Sequence, residues 1–224
     1  MLEVADGVFE IGILFVHAHL VVVDDGVVLV DTGLPGRSGR IEQALREARK
    51  TVGDVRTILL THWHADHTGT AASVHRQSGA RVVAHAIDAG VIDGTEPLRL
   101  STVQRLAARM TGTAEPVAVD EPLRQDGQFS VPGFTAIHTP GHTAGHLSFL
   151  LDRDGGVLFA GDAAAGGGRG RVRRPPGIMT ADAAAARASL VRLAQESFDV
   201  AVFGHGPAVT GRAVDRFKEL ATAS

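Results

Sequence analysis

Thr61-His62-Trp63-His64-Ala65-Asp66-His67-Thr68-Gly69 gathers three imidazoles and one carboxylate between positions 62 and 67. His62, His64 and Asp66 are spaced two apart, so an extended segment would project them from one face. On a helix His62 and His64 would point roughly 200° apart. The spacing therefore predicts a strand running into a loop. Val55 to Leu60 is a short, β-rich apolar run just upstream, and Thr68-Gly69 reads as a turn into a helix. The histidines then emerge at the C-terminal end of a strand, where α/β proteins place ligand sites. Neutral imidazole with carboxylate is a nitrogen and oxygen donor set suited to Zn²⁺, Fe or Mn²⁺. Exposed loop histidines without a ligand would not require this density.

Working outward, the 224 residues with 44% hydrophobic content suffice for a substantial core, and one α/β domain over 1–224 is the economical expectation. A net charge of −3 offers no electrostatic footprint for nucleic acid or an anionic membrane, leaving a small molecule as the expected partner. The absence of cysteine excludes disulfides, thiolate ligands and a cysteine nucleophile, and is consistent with a reducing cytosol. Met1 to Asp6 carries neither the basic nor the apolar part of an export signal. No apolar run approaches the ~18 residues of a membrane span, so a cytoplasmic protein is expected.

Gly7 to Ile13, His19 to Val23 and Val27 to Asp31 read as strands, with Asp24-Asp25-Gly26 as a hairpin turn. Arg40 to Lys50 sets Ile41, Ala44, Leu45 and Ala48 on one helical stripe. A helix over Thr70 to Gln77 and a strand over Arg81 to His85 follow. Leu100, Val103, Leu106, Ala107 and Met110 recur at helical spacing; such a stripe is core, with a lid over the site or a homodimer contact as the alternatives. Val117 to Val119, Gln128 to Val131 and Phe134 to Thr139 read as strands of a second sheet, continued by Leu147 to Leu151 and Val157 to Ala160. Residues 163–177 read as a loop, and Asp182 to Ala194 and Ala213 to Ala221 as closing helices.

The histidine stretch resembles the His-x-His-x-Asp-His signature of the metallo-β-lactamase superfamily. Later segments extend the likeness in order: Thr139-Pro140-Gly141-His142-Thr143-Ala144-Gly145-His146, Val157 to Asp162, and Val202-Phe203-Gly204-His205-Gly206-Pro207. An early Val28-Leu29-Val30-Asp31-Thr32-Gly33 also matches, so the resemblance covers about residues 8 to 210. It implies an αββα sandwich of two mixed sheets flanked by helices. Carried over residue by residue, His62, His64 and His142 would hold one divalent ion and Asp66, His67 and His205 another, bridged by Asp162. Zinc is the first expectation, with iron or manganese as alternatives.

The resemblance further implies a hydrolase of a small ester, thioester or lactone, with a hydroxide bridging the ions as nucleophile and Asp66 orienting it or passing a proton. Asp31 would brace the metal loops through hydrogen bonds, as His146 could. Within the superfamily the motifs look most like the glyoxalase II-like branch, although Thr68-Gly69-Thr70 stands where that branch has Gly-Gly. The chain is also short for that branch's extra substrate domain. Lactone-cleaving relatives often set a Tyr beside the metals, and this chain has none. A mononuclear iron persulfide dioxygenase and a non-enzymatic metal-binding scaffold are the rival readings. His17, His19, His75, His85 and His138 stand singly and are read as structural. Arg169, Arg171, Arg173 and Arg174 form a basic run whose plain reading is a solvated loop. Arg169, seven residues past Asp162, is the candidate to bind a substrate carboxylate.

Overall fold

The computed structural model describes residues 1–98, residue 105 and residues 112–223. β1 (Leu2–Ala5), β2 (Val8–Ile13), β3 (Val16–Val23) and β4 (Gly26–Val30) form an antiparallel meander, closed between Val23 and Gly26 by the Asp24-Asp25 turn. β5 (Val55–Leu59), β6 (Arg81–His85) and β7 (Glu121–Leu123) add in parallel beside β4, completing a seven-stranded sheet. Parallel strands are covered on both faces, which is why β4 is buried along its whole length. α1 (Ser38–Glu47) turns Ile41, Ala44 and Leu45 onto this sheet. The short α2 (Ala65–Thr68), α3 (Ala71–Ser78) and α4 (Ala86–Ile92) follow.

The second sheet comprises β8 (Gly127–Gln128), β9 (Phe134–His138), β10 (Leu147–Leu151) and β11 (Val157–Phe159). A separate hairpin, β12 (Ala165–Gly167) with β13 (Arg171–Arg173), interrupts it. After α5 (Ala183–Leu193), β14 (Val200–Val202) joins β11 in parallel and β15 (Val209–Thr210) forms the edge; α6 (Ala213–Thr222) ends the described chain.

Three apolar layers separate four structural ones. Ile13, Leu20, Leu45 and Ile58 pack between the first sheet and its helices. Val21, Val30, Phe149, Phe159 and Val202 fill the space between the sheets. Leu190, Phe198, Phe203 and Phe217 join the second sheet to α5 and α6. Each such buried side chain contributes about 1.5–3 kcal/mol. The result is the αββα sandwich of two mixed sheets. No helix among the described residues is long and apolar enough to cross a membrane.

Several local expectations are corrected. Residues 117–119 are not a strand of the second sheet. Val117 packs in the helix-side core and its N–H bonds Ile92 O, while Asp120 Oδ2 accepts the Val82 N–H and steers the chain into β7 of the first sheet. Strand pairing at 128–131 stops at Gln128, because the Ser130 N–H donates to Glu121 Oε1 of β7 and the Phe134 N–H turns back onto Val131 O. β1 and α4 escaped sequence reading, and the expected loop 163–177 holds the β12–β13 hairpin. The stripe from Leu100 to Met110 lies outside the described residues.

One polar group inside the sandwich sets up a pH effect. Glu10, opposite His19 in the β2–β3 register, is 8% exposed. Its Oε2, the Nδ1 of His17 at 3.8 Å and the Nε2 of His19 all lack hydrogen-bond partners. Burial pushes the Glu10 carboxyl up to about 7. Because this exceeds the ordinary value of 4.5, the group's contribution is fully present below pH 4.5 and lost as pH rises through about 7. Glu10→Gln cannot ionise and should flatten the stability-pH curve over that window, by about 2 kcal/mol after allowance for screening. Denaturant midpoints from pH 4.5 to 8 measure it; identical slopes for both proteins would refute the assignment.

Candidate metal centre

Parallel strands end at the same edge of each sheet, and the chemically able side chains cluster there. β4 leads into Asp31, β5 into Thr61 and the histidine stretch, β11 into Asp162, and β14 into His205. The β9–β10 connection delivers His142 and His146. Main-chain bonds from Leu147 N to Thr61 O and from His17 N to Gly204 O, each 2.8 Å, tie the two sheets together at this edge.

The extended reading of 62–66 holds only as far as His64. α2 begins at Ala65, because the His64 carbonyl accepts from the His67 and Thr68 N–H groups and from the Thr68 hydroxyl. This turn separates the donors into two groups. His62 Nε2 and His142 Nε2 each lie 2.9 Å from His64 Nδ1. Asp66 Oδ2 lies 3.4 Å from His205 Nε2 and 4.0 Å from His67 Nε2. Asp162 sits between the groups: Oδ2 is 3.4 Å from His142 Nε2 and 3.5 Å from His205 Nε2, and Oδ1 is 3.6 Å from His67 Nε2. The overlapping trios His62/His64/His142, His62/His67/Asp162 and Asp66/His67/His205 each keep their donor atoms within 4.8 Å, close enough to share an ion. All seven residues singled out as ligands therefore converge. The buried His67 Nε2 and Asp162 Oδ1 have no hydrogen-bond partner, as atoms placed for a cation would.

Other ring nitrogens are engaged from behind. Asp31, held at φ 57°, accepts from Thr61 N, Thr61 Oγ1 and His67 Nδ1, each at 2.8 Å. Thr61 Oγ1 also meets His62 Nδ1 at 3.0 Å, and His205 Nδ1 donates to Phe15 O at 3.0 Å. These contacts leave the Nε2 atoms of His62, His67 and His205 facing the site. His146 bridges Thr139 Oγ1 and the Asp162 N–H, so it holds the Asp162 backbone. Gly204 must lack a side chain, since a Cβ there would strike the His67 ring and Asp162 Oδ1.

Electrostatics divides the histidines. Burial, reinforced by neighbouring rings, holds His62 and His142 well below the usual histidine value and His64 at about 4, so their lone pairs are available at neutral pH. Burial opposes a charge on His67 as well, but the Asp31 and Asp162 carboxylates overcome it and push it up to about 10. Without metal, His67 thus carries the proton that a cation would displace. Burial would raise Asp66, yet the hydrogen bond from His205 and the charges on His67 and His205 hold it below the carboxylate range. Burial also raises Asp162.

Three contributors had no sequence signal. Asp88, in the first turn of α4, accepts from Thr143 Oγ1 at 2.8 Å, Gly145 N at 3.0 Å and Trp63 N at 3.3 Å, and so staples the His62–His64 loop to the His142 loop. Asp88→Ala should weaken metal binding about 10- to 100-fold, the scale for an outer partner of a ligand. Competition with a chelator measures this, and unchanged affinity would remove Asp88 from the site. Trp63 packs edge-on to His64 at 4.2 Å, and Phe15 stacks beside His205 at 6.1 Å. A hidden carboxylate like Asp88 becomes legible only once α4 is placed.

The remaining candidates are not among the donors. Arg169 occupies the exposed β12–β13 turn at φ 58°, while Arg174 donates to the Leu220 and Ala223 carbonyls and so secures the end of α6. His75 donates to Ala80 O, and His85 stacks on His138 at 4.2 Å.

The sequence profile of the metallo-beta-lactamase superfamily matches residues 11–205, a span that contains all seven donors. The probable metallo-hydrolase YflN of Bacillus subtilis (strain 168) is 29% identical, over 94% of this chain and 88% of its own length. A hydroxyacylglutathione hydrolase of Idiomarina loihiensis is 30% identical over 66% of this chain, but that match spans only 46% of the relative. Among solved structures, a metallo-beta-lactamase family protein of Thermus thermophilus superposes with a TM-score of 0.74 at 28% identity, covering 97% of this chain and 79% of that one.

Proposed function

The chain belongs to the metallo-β-lactamase superfamily, and from that premise we propose that it is a dinuclear metal-dependent hydrolase of a small ester, thioester or lactone. The observation that carries this reading is the position of Asp162, with carboxylate oxygens 3.4 to 3.6 Å from histidine nitrogens of both donor groups. His62, His64 and His142 would hold one ion, Asp66, His67 and His205 a second, and Asp162 would be shared. Borderline nitrogen and oxygen donors without thiolate suit zinc first, then iron or manganese.

When bound, such ions polarise a substrate carbonyl and lower the pKa of water toward ~7. The chain's own residues supply position and proton traffic. Asp66 borders the cleft beside His64 and is kept deprotonated, so it is placed to accept a hydrogen bond from the attacking water and orient it. Asp31, Thr61, His146 and Asp88 hold the donors in place, so little reorganisation accompanies reaction. Gly166 N bonds His205 O at 2.9 Å, anchoring the base of the hairpin whose turn carries Arg169. We assign Arg169 to the charged end of a substrate, on the leaving-group side. Arg169→Ala should raise KM about tenfold for substrates with an anionic leaving group and leave kcat nearly unchanged. Equal KM values for charged and neutral leaving groups would reduce Arg169 to surface.

The functional test is turnover of an ester, thioester, lactone and β-lactam panel by metal-stripped and zinc-reloaded protein. Hydrolysis that appears only on reloading supports the proposal. Oxygen consumption with a persulfide by iron-loaded protein, without hydrolysis of any panel member, would replace it with the dioxygenase reading.

A further inference from the structure

Beside the donors lies a cleft of about 350 Å³. His64 and Asp66 form its reactive end, and its apolar walls are Trp63, Val91, Ile92, Leu98, Pro116 and Met179. We propose that this cleft binds the acyl half of the substrate, and that this half is an uncharged, apolar group packed against the Trp63 ring. The inference rests on the hydrolase reading of the neighbouring centre.

Trp63 is a rigid wall. Its main-chain N–H bonds Asp88 Oδ2 at 3.3 Å, and its ring meets His64 edge-on at 4.2 Å. A second hollow, lined by Trp63, Val91, Glu96, Pro97 and Leu98, shares this wall. The volume is near the lower end of the range of about 300 to 1,000 Å³ for small-molecule sites, which fits a short chain or single ring better than a long lipid. Beyond the reactive end, the charged side chains lining the cleft among the described residues are Glu96 and Glu115. Arg76 pairs with Glu115 at 2.5 Å, but no described lysine or arginine lines the cleft itself. A carboxylate on the acyl group would give up water to face these acidic neighbours, so the lining selects against it as well as for apolar surface.

Trp63 is the chain's single tryptophan and tyrosine is absent, so intrinsic fluorescence reports from the cleft wall. The test titrates zinc-loaded protein with methyl ketones bearing propyl, pentyl and heptyl chains, which cannot be hydrolysed, and with glutarate. Fluorescence and calorimetry both read the affinity. The expected result is tightening by up to about fourfold per methylene, with glutarate at least tenfold weaker than the pentyl ketone. Leu98→Asp, at a position 46% exposed and so unlinked to folding, should weaken the heptyl ketone about tenfold and spare the propyl one. Affinity independent of chain length in both methods, or glutarate binding as tightly as the ketones, overturns the assignment. Chain-length-dependent ketone binding without hydrolysis of any ester, thioester or lactone would instead sink the hydrolase reading and leave the apolar cleft standing.

Discussion

Asp162→Ala is expected to give a folded protein that has lost its metal and its turnover. The carboxylate reaches both donor groups, so its removal should weaken binding beyond the 10- to 100-fold seen for outer partners and cut kcat/KM by on the order of 10² to 10³. Folding should survive for a local reason. His146 holds the Asp162 main chain through the N–H, which alanine keeps. The side chain, by contrast, is a buried carboxyl whose raised pKa marks it as costly in the metal-free protein. Circular dichroism and thermal melting of the metal-free forms should therefore agree closely between variant and parent, while elemental analysis separates them. Retention of metal and turnover would disprove the shared role. An unfolded variant would make Asp162 a structural residue.

Asp31→Ala should fail in the opposite way, by unfolding. This side chain accepts three hydrogen bonds at 2.8 Å in a site 2% exposed. Alanine would leave the Thr61 N–H and His67 Nδ1 buried without partners, at about 1–3 kcal/mol each. Alanine would also occupy a left-handed conformation, φ 57°, at roughly 1–2 kcal/mol. A loss of about 3–5 kcal/mol is expected even without metal, because His67 also forfeits the first of the carboxylates that sustain its charge. Asp31→Asn tolerates the backbone and keeps an acceptor oxygen, so it should recover part of that loss. Urea midpoints of the metal-free proteins decide the matter, and a change below about 1 kcal/mol in Asp31→Ala would show that the brace is dispensable. The two aspartates, both buried and each following a strand of a different sheet, thus separate metal binding from folding.

How much was legible follows the range of the signal. Short-range patterns were readable: the apolar run of β5, the Asp24-Asp25 turn and the dense histidine stretch each declare themselves within a few residues. The ordered later segments pointed to the αββα layers that the three apolar clusters build. Misreadings arose where a distant group overrides local preference. Val117 to Val119 looks like a strand, but Asp120 takes the Val82 N–H and Val117 is drawn to α4. Ala65 to Thr68 continues an extended segment until the His64 carbonyl gathers three donors and coils it. Asp88 and Trp63 are ordinary residues in sequence; only the placement of α4 makes one a staple and the other a cleft wall. The polar trio Glu10, His17 and His19 was equally silent, since strand pairing creates it.

The central claim, two ions sharing Asp162, is tested most directly by metal stoichiometry. Metal-free protein dialysed against zinc and analysed for zinc per chain should hold two equivalents. A parent protein that saturates at one equivalent, or binds none, would contradict the dinuclear account.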